Sequence, residues 1–222
     1  MSKAEAPGLG RDDLSFGGVG SFGSSTMTYA IIGSGHVGTA LARQFARNRI
    51  AVMISNTRGP DSLNELVNEL GPAVTAASLQ DALEADIILL AVHFAAHAEI
   101  AKARKDWKGK TVIDVTNFRE TDLTPLGGLQ SSDFVAKGLP GARVVKTFNQ
   151  LPAALLASDP AECGGRRVMF VAGNHDEANT EVASLVASLG FAPIILGKIA
   201  EGGSLLRFRG PLVLRNLIEL GA

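Results

Sequence analysis

A single cysteine, Cys163, stands in the 222 residues of this chain, so no intramolecular disulfide framework can form and the setting is read as reducing and cytoplasmic. Cys163 is a packing or surface residue before it is a nucleophile. Excess charge is missing too. With 21 basic against 22 acidic side chains the net charge is −1, so there is no global field to collect nucleic acid or an anionic membrane, and any anion must be gripped locally. No apolar run approaches the ~18 residues of a membrane span, and the N-terminus lacks the apolar stretch of a secretory signal. Length excludes a large two-domain enzyme: 222 residues, 46% apolar, bury one substantial core, or one core with a small appendage.

What is present divides at Met27. Residues 1–27 hold six glycines among serines and scattered charge, too little apolar surface to offset chain entropy, and are expected to form a flexible leader to a single domain over 28–222. From Thr28 on, short apolar runs alternate with amphipathic stretches, the pattern of parallel strands joined by crossover helices. Strands are expected at 28–32, 50–54, 73–76, 86–92, 110–115, 143–148, 166–171 and 192–196. Between the first two, Val37, Leu41 and Phe45 form one helical stripe, with Asn48 as a left-handed stop. Between the second and third, Leu63, Leu66, Val67 and Leu70 repeat the design, with a Ser62–Glu65 capping box and Gly71 as terminator. Pro193 cannot donate to a ladder, so the last strand belongs at an edge.

The first strand runs into Gly33-Ser34-Gly35-His36-Val37-Gly38, a G-x-G-x-x-G at the mouth of the first helix. Gly33 permits the tight turn, Gly35 lets a pyrophosphate approach the helix N-terminus, and Gly38 lets helix and strand pack closely. About 20 residues on, such a loop calls for an Asp or Glu to hold a ribose hydroxyl, and none is there. Ser55, Asn56, Thr57 and Arg58 occupy the window instead. A guanidinium in place of a carboxylate suits a 2′-phosphate, with the neutral side chains adding hydrogen bonds, and the expected cofactor is NADP(H). The fold expected is α/β and Rossmann-like: a doubly wound, mainly parallel sheet with helices on both faces.

Taken with "IIGSGHVGTALA" and "SNTRGPDSL", the stretches "DIILLAV", "VIDVTNF", "GARVVKTFNQL", "VMFVAG" and "EGGSLL" give a chain that resembles the NADP oxidoreductases dependent on the deazaflavin coenzyme F420. The likeness runs from Thr28 to about Leu206. It implies hydride transfer between NADP(H) and a second planar cofactor, coenzyme F420 or a flavin, in a homodimer. It implies that Thr57 and Arg58 grip the 2′-phosphate, and that Val92, His93 and Phe94, Thr116, Asn117 and Phe118, and Phe148 and Asn149 line the nicotinamide side. His93 departs from the family, in which many members carry proline there.

Independently of any family, His93, Thr116, Asn117 and Asn149 fall just beyond expected strand ends, where open parallel sheets bind ligands. Hydride transfer between stacked rings needs orientation and exclusion of water more than a general acid, so no catalytic residue is assigned. Phe94, Phe118 and Phe148 are read either as walls of that site or as ordinary core. His93 and His97 have a spacing that a metal site uses, but no third ligand accompanies them, and no metal site is assigned. His36 flanks the cofactor loop and His175 opens a later helix. The basic run Lys102–Lys110 is read as a solvated helix end with Trp107 half-buried, rather than a nucleic-acid patch. Gly202 and Gly203 are read as a hinge that lets the C-terminal tail close over the site. Two functions remain: an enzyme passing hydride between NADP(H) and a small-molecule acceptor, or a non-catalytic NADPH sensor.

Overall fold

The computed structural model describes residues 27–119 and 126–221, so the expected leader, apart from Met27, lies outside the described residues. Strands β1 (Tyr29–Ile32), β2 (Val52–Ser55), β3 (Val74–Ala76), β4 (Ile87–Leu90), β5 (Thr111–Asp114) and β6 (Arg143–Lys146) run parallel in the order β3-β2-β1-β4-β5-β6. The order reverses between β1 and β4, and the crevice at their carboxyl ends is where such a sheet takes its ligand. β4 is apolar and buried throughout rather than alternating, and its neighbour β5 is buried at every position, because helices cover both faces. One face packs under α1 (His36–Arg47), α6 (Ala153–Ala157) and α7 (Asp176–Ser188), through residues such as Ile31, Leu41, Phe45, Leu89, Val145 and Val182. The other lies under α3 (Leu79–Ala82), α4 (His97–Lys102) and α5 (Ser131–Gly138), with Ile88, Leu90, Val112 and Val135.

Beyond β6 the sheet changes direction. β8 (Gly165–Gly173) pairs antiparallel with β6 and carries β9 (Ala192–Ile195), β7 (Ala161–Glu162) and β10 (Ile218–Leu220). β9 pairs with β8 alone, so Pro193 sits at an edge, as its missing N–H requires. Between the residues of β8 that pair with β10 and those that pair with β6, a side chain completes the ladder. The buried Gln150 amide donates to the Val168 carbonyl at 3.2 Å and accepts from Phe170 N at 2.9 Å. The Gln150 carbonyl receives Leu214 N at 2.7 Å, which fastens the C-terminal segment to the same point.

All eight expected strands are present, and several local expectations shift. Asn48 has φ −91° and spends its side chain on the Gln44 and Leu189 carbonyls, so the left-handed residue is Arg49, with φ 56°. The Ser62–Glu65 capping box is absent: residues Pro60–Leu63 form a 3-10 turn, α2 (Asn64–Leu70) starts after it, and the Ser62 hydroxyl faces back to Gly59 and Asn56. Gly71 does terminate α2, at φ 80°. Trp107 is fully buried, not half-buried, with its indole N–H on the Arg104 carbonyl at 3.1 Å. Gly202 and Gly203 are interior residues rather than a hinge. A Cβ on Gly202 would lie 2.3 Å from the Leu196 Cβ, so close packing demands that glycine. The tail beyond it inserts Leu206 into a small core with Val168, Phe170 and Ala192 and is part of the fold.

Replacing Gln150 with leucine keeps the volume and strands the Phe170 N–H and the Val168 carbonyl. Gln150→Leu is expected to cost roughly 1–3 kcal/mol, read as a lower midpoint in urea unfolding.

Candidate dinucleotide-binding site

The glycine loop owes its shape to missing side chains. Gly33 has φ +112°, and a Cβ there would stand 2.3 Å from the Ala91 carbonyl oxygen; on Gly38 it would stand 1.9 Å from the Gly33 oxygen. Those contacts bring α1 hard against the ends of β1 and β4. Gly35, the N-cap of α1, meets nothing within 4 Å, so the space a Cβ would fill lies open over the helix end. No side chain caps that end and its first turn holds no acid, which leaves N–H groups and the positive end of the helix dipole for an anion. Gly35 and His36 are exposed at this mouth and Val37 is half-buried. The cradle fits a pyrophosphate.

Gly33 N donates to the Ser55 carbonyl at 2.8 Å and so joins the loop to the end of β2. The Ser55 side chain is fully buried with its hydroxyl unpartnered, so it lies beneath the surface and not on it. Nor does Asn56 present a free amide. Its Nδ2 donates to the Ser34 and Ser62 hydroxyls at 2.9 and 3.0 Å, and its Oδ1 accepts Arg58 N at 2.9 Å. The expectation that Ser55 and Asn56 supply hydrogen bonds to the ligand gives way to one in which they shape the loop. Thr57 and Arg58 are exposed, and Arg58 takes part in none of the ion pairs formed among the described residues.

At the neighbouring strand ends, Val92 lies against Gly33 and His93 is exposed just before Phe94. Phe94 is buried, edge-on to Phe118 at 5.1 Å, and its carbonyl receives the ring nitrogen of His97, which turns into the core while His93 stays at the surface. Phe148, at φ 58°, is buried against Phe191 in the α7 core. Of the three phenylalanines weighed as walls, only Phe118 keeps exposed surface at the strand ends. Asn117 and Asn149 clasp each other: Asn117 Nδ2 donates to the Asn149 carbonyl at 3.2 Å, and Asn149 Nδ2 to Asn117 Oδ1 at 3.0 Å. Asn149 Nδ2 also reaches the Leu206 carbonyl at 2.7 Å, while its buried Oδ1 has no partner. His175 is exposed at the N-terminus of α7. The basic run borders a cleft of about 490 Å³ between α4 and α5, with Lys102 and Lys137 in last helical turns, where cations complement the dipoles.

Two residues outside the sequence-based site underlie it. Asp114 and Lys146 close adjacent strands in register and form a buried ion pair at 3.1 Å. Asp114 also accepts from Ser132 Oγ at 2.6 Å, Thr116 N at 2.9 Å and Thr116 Oγ1 at 2.6 Å, and Lys146 donates to the Thr116 carbonyl. Their signal in the sequence is a charge of each sign at the end of an apolar, two-faced strand, where it must find a partner. Burial pushes the Asp114 carboxyl up, but the Lys146 ammonium and the hydroxyl and N–H donors outweigh it and hold the pKa below the usual range.

Just past the clasp, a cleft of about 420 Å³ is lined by Phe118, Leu126, Leu129 and Gln130 on one side and by Arg207, Phe208 and Arg209 on the other. The guanidinium carbons of Arg119 and Arg209 each lie 5.5 Å from the centre of the Phe208 ring.

Sheet order, glycine loop and uncapped helix end define a Rossmann-like NAD(P)-binding protein. Residues 28–118 match the family described as NADP oxidoreductase, coenzyme F420-dependent. The hypothetical protein SMa0349 from Sinorhizobium meliloti has a similar structure, with a TM-score of 0.83 at 46% identity over 88% of this chain and 97% of that one. A protein from Arthrobacter sp. FB24 assigned as an F420-dependent NADP-reductase gives 0.66 at 28% identity over 81% and 90%. Mouse metalloreductase STEAP2 is 27% identical over 84% of this chain, which spans only 38% of that relative's length. Over residues 28–118 the chain is thus similar to the NADP oxidoreductase, coenzyme F420-dependent family, and its fold is that of Rossmann-like NAD(P)-binding proteins. No helix among the described residues is long and apolar enough to cross a membrane.

Two outcomes follow from this geometry. Arg58→Ala is expected to weaken NADPH binding by about 10- to 100-fold and to leave NADH within about threefold, measured as two dissociation constants at one ionic strength. Equal weakening would mean that Arg58 only supports its loop. Because the folded pKa of Asp114 is depressed, its contribution to stability is present above the ~3.9 of an unfolded aspartate and is lost as pH falls through the lower folded value. Asp114→Asn should therefore flatten the decline of melting temperature with pH over that acid range, whatever it does to stability at neutral pH.

Proposed function

We propose that this protein passes a hydride between NADP(H) and a second planar redox molecule, coenzyme F420 or a flavin. The pyrophosphate would rest on the N–H groups from Gly35 to Gly38, and the 2′-phosphate on Thr57 and Arg58. The nicotinamide would lie over the clasp of Asn117 and Asn149, at the half-exposed Asn117. One observation carries the reading: the aromatic, cationic cleft is built onto that clasp from both sides. Phe118 follows Asn117, and Arg207 follows Leu206, whose carbonyl holds Asn149. The acceptor's planar ring would enter this cleft, which Phe118 and Phe208 line, and Arg207 and Arg209 suit anionic groups attached to it.

Bound NADPH would supply the hydride, or bound NADP⁺ would receive it. The chain's own part is to fix both rings at reacting distance and keep water out, which requires no general acid. The test is NADPH oxidation with coenzyme F420, FMN, FAD and a ferric chelate as separate acceptors. Turnover is expected with a planar acceptor, and Phe208→Ala should raise that acceptor's KM by about tenfold while the NADPH dissociation constant holds. Tight NADPH binding with no turnover by any acceptor would favour the sensor instead.

A further inference from the structure

The Asp114–Lys146 pair is deeper than any ligand can reach: the two side chains are 0% and 2% exposed. Stability alone gives little reason for it, since a buried ion pair replaced by uncharged residues of similar volume is often neutral or better. Its bonds converge on one residue instead. Asp114 accepts both the N–H and the hydroxyl of Thr116, and Lys146 donates to the Thr116 carbonyl, so every polar group of Thr116 is fixed. Ser132 Oγ ties the first turn of α5 to the same carboxylate. The next residue is Asn117, whose Oδ1 takes a proton of Asn149 Nδ2 while the Leu206 carbonyl takes the other. With both donors engaged, the Asn149 amide has one orientation, and its Oδ1 is left as a buried acceptor without a partner.

We infer that Asp114 and Lys146 are positioning residues: through Thr116 and Asn117 they orient the Asn149 amide, and so set where the nicotinamide ring lies. The inference rests on the reading above that the strand ends take the nicotinamide. It separates grip from placement. The adenosine phosphates are held at Gly35–Gly38 and Arg58, on other strands, so loosening the pair disturbs the ring and leaves the affinity.

The test uses the full chain and the fluorescence of the reduced nicotinamide, which rises when the ring is held still and dry, so no acceptor is needed. In wild type the signal is expected to rise on binding. In the neutral double variant Asp114→Leu/Lys146→Met, which keeps the volume and removes every bond from the pair to Thr116 and Ser132, the rise is expected to fall to about a third or less, with the NADPH dissociation constant within about threefold. Asn117→Ala, which keeps the pair and unhooks Asn149, should do the same, and it carries the decision if the double variant does not fold. With an active acceptor, kcat should fall about tenfold or more at unchanged KM for NADPH. A full fluorescence rise in either folded variant overturns the inference. A wild type that binds NADPH with no rise overturns the nicotinamide placement beneath it.

Discussion

Everything at the site depends on one steric constraint, the absence of Cβ atoms where α1 meets the sheet. The Gly33 carbonyl fills the place a side chain on Gly38 would need, and the Ala91 carbonyl fills the corresponding place at Gly33. That closeness aims the uncapped end of α1 at the crevice between β1 and β4. It also brings Gly33 within hydrogen-bonding distance of Ser55, so the loops after β1 and β2 form one surface. A larger residue at either position would separate helix from sheet and pull the two halves of the candidate site apart.

On the other side of the crevice the work is done by consecutive amides. Asn149 faces Asn117 and the Leu206 carbonyl, and Gln150 faces β8 and Leu214. The C-terminal segment is therefore held by both at the point where β6 ends. Arg207, Phe208 and Arg209 follow directly from that attachment and form one wall of the cleft. Architecture and site are continuous here, because, of two consecutive residues, one, Gln150, completes the sheet and the other, Asn149, holds the segment that forms the cleft wall.

The sequence was most legible where the information is local. Apolar runs located the eight main strands, the glycine spacing placed the loop on the right strand and helix, and Pro193 located an edge. It was least legible where a residue's role is set by a distant partner. Gln150 looks like any loop amide until β8 lies beside it, and Asp114 and Lys146 are 32 positions apart in the chain. In sequence Asn56 reads as a ligand-facing donor because it stands in the window about 20 residues past the glycine loop; its hydrogen bonds to Ser34 and Ser62 show that it faces the protein. β7 and β10, of 2 and 3 residues, are too short for any periodicity. Trp107 was masked by the lysines around it, whose charge says nothing about which way an indole turns.

The bonds of Asn56 have a thermodynamic consequence. Binding loops often lose freedom when the ligand arrives, and that loss is subtracted from affinity. Here the turn bearing Thr57 and Arg58 is already folded onto the glycine loop by protein–protein hydrogen bonds. Much of the ordering of that turn thus accompanies folding and not binding. A dinucleotide would meet a surface whose backbone is set in advance, with only the long Arg58 side chain left to immobilise, and its association would be closer to docking on a rigid body than to coupled folding.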